Sequence, residues 1–207
     1  ANRLGKPVIT ATQMLDSMRT SVTPTRAEVA DIANAILDGT DAIMLSDETA
    51  IGDYPVKAVS VMTTVAEEVE SDEYLKTIHK KWDYSPETNC EAVGRSIVHS
   101  ARHTNTVAIV AFSESGYTGR MVSRYKPHIP ILVLTPNEKT QLKMQVVYGC
   151  EPLMVKKIHS VREATQIAAD MVRKQKLGKR GDTFILGAGI PFGEAGATNM
   201  MTIETLI

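Results

Sequence analysis

Two cysteines are all that 207 residues contain, Cys90 and Cys150, and their separation matches no metal-ligand pattern. A disulfide framework is therefore excluded, and two free thiols suit a reducing cytoplasm. Neither sign of charge dominates: 23 Lys plus Arg stand against 24 Asp plus Glu, a net charge of −1. That balance gives no electrostatic basis for binding nucleic acid or an anionic membrane. No apolar run approaches the roughly 20 residues needed to span a bilayer. The chain also lacks a signal-peptide pattern, opening Ala1-Asn2-Arg3 without an initiator Met. It reads like a cut made inside a longer protein. Neither G-x-x-x-x-G-K-[ST] nor G-x-G-x-x-G occurs, which removes the P-loop and the dinucleotide fingerprint.

What is present is the composition of an ordinary globular protein, 43% apolar and 23% charged. Residues 7–12 predict a strand. Thr25-Arg26-Ala27-Glu28 then has capping-box spacing, with Val29, Ile32, Ile36 and Leu37 on one helical face and Gly39 as the stop. The pattern repeats: Ala42-Ile43-Met44-Leu45 predicts a strand covered on both faces, and Ser46-Asp47-Glu48-Thr49 ends it. Pro55 opens the next helix at N1, with Val59, Met62, Ala66 and Val69 as its buried stripe. The two strand starts, Pro7 and Ala42, lie 35 residues apart. That interval fits the repeat of a barrel in which about 250 residues make eight βα units.

Residues 71–88, with Lys80, Lys81, Trp82 and Pro86, predict a connector between a barrel part (1–70) and a second domain (89–207). The second domain alternates: a helix at 89–103, a strand at 106–112, a helix at 117–125, a strand at 130–135. Thr135-Pro136-Asn137-Glu138 starts another helix at capping-box spacing, and a strand follows near 152–156. Ser160-Val161-Arg162-Glu163 opens a third capping box, with Ala164, Ile167, Met171 and Val172 inside. Strands at 183–187 and 200–206 finish the chain. The fold class is therefore α/β: a partial (β/α)8 TIM-barrel segment followed by a doubly wound domain with a mostly parallel sheet.

Function in such folds gathers at the carboxyl ends of strands. Thr12 and Ser46 offer hydroxyls to a polar ligand from neighbouring strands; equally, Thr favours strands and Ser caps turns. Glu48 is a supporting carboxylate or a helix-capping one. In Ser113-Glu114-Ser115-Gly116-Tyr117-Thr118, Gly116 admits close backbone approach, and the hydroxyls sit at a helix start suited to anions. An ordinary N-cap accounts for the same residues. The glycine-rich stretch 187–199 is either a partner loop or a long turn. His99 and His103 are spaced as two metal ligands, but no third is in view, and a solvated helix face is the better reading.

Taken together, KPVITATQML, PTRAEVADIANAILDGTDAIMLSDETAIGDYP and SESGYTGRMVSRYKP resemble the pyruvate kinases, in family order and over essentially the whole chain. The resemblance implies the last two βα units of a catalytic barrel followed by the carboxyl-terminal domain. It implies transfer of the phosphoryl group of phosphoenolpyruvate to ADP, with Mg²⁺ and usually K⁺. Thr12 matches the threonine near the substrate carboxylate and its proton-delivery network, Ser46 a serine of that network, and Glu48 a nearby carboxylate. Asp47 departs from the small residue common at its position.

The metal ligands and the lysine at the transferring phosphoryl belong upstream, so the chain alone is expected to be inactive. SESGYT matches the effector loop of allosteric members, and Ser113, Ser115, Gly116, Tyr117 and Thr118 become effector-binding candidates for a sugar phosphate or AMP. Tyr117 replaces an arginine found in many fructose-bisphosphate binders, and the last loop has no basic clamp. The family implies a homotetramer. The other reading is a regulatory or assembly module that binds an effector without catalysis.

Overall fold

The computed structural model describes residues 1–72, 85–193 and 196–207. Most of the expected connector lies outside the described residues. The chain divides into two compact units, residues 7–81 and residues 1–6 with 82–207.

In the first unit, β1 (Ile9–Thr10) pairs in parallel with β2 (Ala42–Ile43), Ile9 opposite Ala42 and Thr10 opposite Ile43. Both strands are shorter than the sequence predicts. The cause at β1 is local: Thr12 and Gln13 turn to φ 69° and 54°, which ends extended pairing. Ile9 and Met44 stay largely exposed, so two paired strands do not supply the two-sided cover that the apolar run at 42–45 predicts. Helix α1 (Arg26–Leu37) begins with the capping box expected at Thr25 and Glu28. It ends in a Schellman arrangement, Thr40 N–H to Ala35 O and Gly39 N–H to Ile36 O, with Gly39 at φ 84°. After the single-turn helix α2 (Asp47–Ala50), α3 (Pro55–Ser71) starts with Pro55 in its first turn. Its inner stripe is Ala58 and Met62, backed by Val61, Val65, Ala66 and Val69. Val59 is half exposed, a correction of one position: the stripe advances along residues 58, 62, 65 and 69. The core joins these to Met14, Leu15, Met18, Ile32 and Ile36.

The second unit is a five-stranded sheet ordered β5-β4-β3-β6-β7. Its strands are β3 (Thr106–Phe112), β4 (Ile131–Thr135), β5 (Cys150–Met154), β6 (Thr183–Gly189) and β7 (Thr198–Thr205). All neighbours are parallel except the β6–β7 hairpin. The strands alternate strictly. Ala108, Val110, Phe112, Leu132, Leu134, Phe184 and Leu186 face α7 (Val161–Lys174), while Ile109, Ala111, Ile131, Val133 and Ile185 face the other way. That other face is covered by α4 (Asn89–His103), α5 (Tyr117–Ser123) and α6 (Glu138–Met144). Burial on both sides explains why the strands read as unbroken apolar runs. The cap of α6 is Asn137, whose side chain accepts from Thr140 N–H, rather than Thr135. Thr135 belongs to β4, and its hydroxyl accepts from Asn137 N–H instead.

From β3 the chain steps to β4 and β5, then returns across β3 to place β6 on its far side. The order reverses between β3 and β6. Turns leaving these two strands diverge, and a crevice opens at their carboxyl ends.

Candidate functional sites

In the first unit, the segments after β1 and β2 are fastened to each other by one side chain. Glu48 is 2% exposed, and its two carboxylate oxygens accept Leu15 N–H at 3.0 Å and Ser46 N–H at 2.8 Å. Burial pushes its pKa up, but the backbone donors more than reverse this, and it lies below the ordinary carboxylate value. A second carboxylate repeats the arrangement one layer out. Glu28 accepts from the backbone and hydroxyl of Ser17, at 2.7 and 2.6 Å, and from the backbone and hydroxyl of Thr25, at 2.7 and 2.8 Å. Burial again opposes ionisation, and the Ser17 and Thr25 bonds outweigh it. The role of Ser17 escapes sequence reading, because the 3₁₀ turn Asp16–Arg19 that carries it has no periodic signal.

Thr12 is exposed at the carboxyl end of β1, and Ser46 is half exposed just beyond β2. A β-branched residue at positive φ is strained by about 1–3 kcal/mol, and such strain concentrates at ligand-contacting positions. Glu48, the nearby carboxylate of the sequence reading, is turned inward with both oxygens occupied. It positions the two segments. Asp47 meets Arg19 at 3.8 Å, a half-exposed pair of small energetic weight.

In the second unit, the crevice at the reversal holds a cavity of about 250 Å³. Ser113 and Thr118 line it from the turn after β3, and Gly189, Phe192 and Thr198 from the β6–β7 connection. Its floor is Phe112, Leu134, Val155 and Ile158. Charge enters from a third side that the sequence did not single out, Lys156, Lys157 and His159 in the turn between β5 and α7. The Thr118 and Thr198 hydroxyls bond each other at 2.6 Å, tying the β3 turn to the start of β7.

Ser115 and Tyr117 do not line this cavity, although its neighbour shares Gly196, Ala197 and Thr198 with it. They line that adjoining open cleft with Thr88, Cys90 and Asn199. Gly116 lines neither. It sits at φ 78°, where an added Cβ would come 2.6 Å from Met144 Sδ. Burial pushes the Cys90 thiol up despite hydrogen bonding with Thr198, which makes it a poor nucleophile.

His99 and His103 stack on α4 with ring centroids 4.4 Å apart, and His103 Nδ1 lies 2.8 Å from the carbonyl of His99. Among the described residues, no three His, Cys, Asp or Glu side chains converge as metal ligands. No helix among the described residues is long and apolar enough to cross a membrane.

Comparison with known proteins assigns both units. Residues 1–59 match the model of the pyruvate kinase barrel domain, and residues 91–204 the model of the pyruvate kinase alpha/beta domain. The chain is 44% identical to pyruvate kinase of Lactobacillus delbrueckii subsp. bulgaricus across 99% of its length. It is 42% identical to that of Geobacillus stearothermophilus across 99%, and 44% identical to that of Staphylococcus aureus (strain USA300) across 98%. It spans about 35% of the length of each of these curated relatives. A partial barrel of βα units, followed by a doubly wound α/β domain, is thus the architecture of a chain that belongs to the pyruvate kinase family.

Proposed function

We propose that this chain provides part of the catalytic site and an effector domain to an enzyme that transfers the phosphoryl group of phosphoenolpyruvate to ADP. The observation that carries the catalytic half is the carboxylate clasp: Glu48 holds the segments after β1 and β2 together. Thr12 and Ser46 thereby emerge from adjacent strand ends. In this reading Thr12 touches the substrate near its carboxylate and takes part in delivering a proton to the enolate. Ser46 extends that hydroxyl network. Glu48 acts through both as a positioning residue. Mg²⁺ and K⁺ are held by residues outside this chain, and the assembled enzyme is a homotetramer.

The effector half rests on the cavity at the strand reversal, which Ser113, Thr118, Lys156 and Lys157 line together with apolar residues. A sugar phosphate or AMP bound there is the regulatory ligand. Gly116 supports the turn from behind, and Ser115 and Tyr117 border the neighbouring cleft.

Two measurements test the catalytic reading. Given phosphoenolpyruvate, ADP, Mg²⁺ and K⁺, the 207-residue chain by itself releases no pyruvate; measurable turnover would overturn the division of labour. Fused behind the preceding portion of the Geobacillus stearothermophilus enzyme, it restores turnover. In that chimaera Thr12→Val lowers kcat by roughly 10²-fold or more, the scale of lost proton-transfer catalysis. An unchanged kcat would remove Thr12 from the site.

A further inference from the structure

We infer that the exposed face of α4 carries an exchangeable site for a late first-row transition ion, Ni²⁺ or Cu²⁺, held by the imidazoles of His99 and His103. The site is independent of the catalytic and effector readings. Spacing alone supplies only the pair, four residues apart and so one turn apart on a single helix face. Three features of the folded helix add to it. First, the rings already lie together, with centroids 4.4 Å apart and planes tilted by 32°. Two imidazoles bound through Nε2 at about 2.0–2.1 Å place their ring centroids about 3.2 Å from the ion. Those centroids are then about 4.5 Å apart at a ligand angle of about 90°, and about 5.2 Å apart at the tetrahedral angle. The observed separation fits the tetragonal preference of Cu²⁺ and Ni²⁺ better than the tetrahedral one of Zn²⁺.

Second, one ring is held in the tautomer a metal needs. His103 Nδ1 lies 2.8 Å from the carbonyl oxygen of His99. A carbonyl only accepts, so Nδ1 keeps the proton and the neutral ring carries its lone pair at Nε2. The ring of His99 reaches the same ion by rotation about χ2, whose well is broad. Third, His103 is the last residue of α4. The carboxyl end of a helix is its negative pole and favours a cation. Arg102 beside it is engaged elsewhere, its Nη2 donating to Tyr125 O at 2.9 Å. Arg95, one turn before His99 on the same face, opposes a cation. Among the described residues no third His, Cys, Asp or Glu converges on the pair. An ion held by two protein ligands keeps solvent at its other positions, which makes it exchangeable rather than structural.

The test is calorimetric titration of the untagged 207-residue chain with NiCl₂, and with ZnCl₂ and MgCl₂ for comparison. Ni²⁺ is expected to bind tighter than Zn²⁺ and to resist displacement by excess Mg²⁺, which prefers oxygen ligands. His99→Ala and His103→Ala should each weaken Ni²⁺ ten-fold or more, because either change ends chelation. The double variant should be little worse than either. His159→Ala, in the turn between β5 and α7, should leave Ni²⁺ binding unchanged. Both α4 histidines are exposed, so the substitutions spare the core, and far-UV circular dichroism establishes that the variants fold. In imidazole NMR spectra, substoichiometric Cu²⁺ should broaden His99 and His103 before His128 and His159. Ni²⁺ binding that survives either single substitution, tighter binding of Zn²⁺, or no binding of Ni²⁺ at all overturns the inference.

Discussion

Replacing Glu48 by glutamine isolates what its charge and second acceptor oxygen do. The carboxylate accepts from Leu15 N–H and Ser46 N–H, one to each oxygen, inside a site from which water is nearly excluded. Glutamine has the same shape but only one acceptor, and its amide nitrogen turns a donor towards a donor. One of the two backbone amides is therefore left unpaired, at a cost of about 1–3 kcal/mol. Removing the charge also relieves repulsion from Glu28, which returns a small part of that loss. The net expectation is about 2 kcal/mol of local destabilisation, or roughly 30-fold in the opening equilibrium, since each 1.4 kcal/mol is a factor of ten. Amide hydrogen exchange reads this residue by residue. Leu15 and Ser46 should exchange about 30-fold faster in Glu48→Gln, while Ile109 N–H, which donates to Pro130 O in the other unit, should not change. Wild-type exchange at Leu15 and Ser46 would show that the carboxylate does not fasten the two segments, and the positioning role would fall with it.

The two clasping carboxylates also set an acid limit for the first unit. Both Glu28 and Glu48 are held below the ordinary value of 4.5, so the folded state binds fewer protons than the unfolded one near that pH. Their stabilisation is complete above 4.5 and is lost as pH falls through the lowered folded values. Exchange protection at Leu15 and Ser17 should therefore drop on acidification below pH 4.5 and be flat from 6 to 8; protection that rises with acid would contradict the assignment. Gly116→Ala should destabilise the second unit by about 2–4 kcal/mol. The left-handed backbone costs roughly 1–2 kcal/mol and crowding against Met144 about as much again. Urea denaturation with a midpoint equal to wild type would show that the turn relaxes freely.

Much of the fold was readable from local chemistry alone. Thr25 with Glu28, and Pro55 at the start of α3, mark their helices because caps and breakers act within a few residues. The apolar run at 106–112 marks a buried strand for the same reason. Errors came where neighbours decide. Val59 has the spacing of a core residue, but the packing of α1 against α3 selects Ala58. Asn137 outcompetes Thr135 as a cap because β4 runs through Thr135 before the chain turns. The sites divide likewise. Thr12, Ser46, Ser113 and Thr118 could be singled out because each follows a strand. Lys156, Lys157 and His159 could not. Their placement beside the β3 turn depends on the strand order, which no window of sequence contains.

The walls of the cavity are three separate turns, while the sheet beneath keeps its own apolar packing on both faces. The polar positions of the lining, Ser113, Glu114, Lys156, Lys157 and His159, lie outside the buried apolar clusters, so what the cavity accepts can change at a handful of positions without repacking a strand. Divergence in what the cavity accepts, on an unaltered scaffold, is the evolutionary outcome such a design favours.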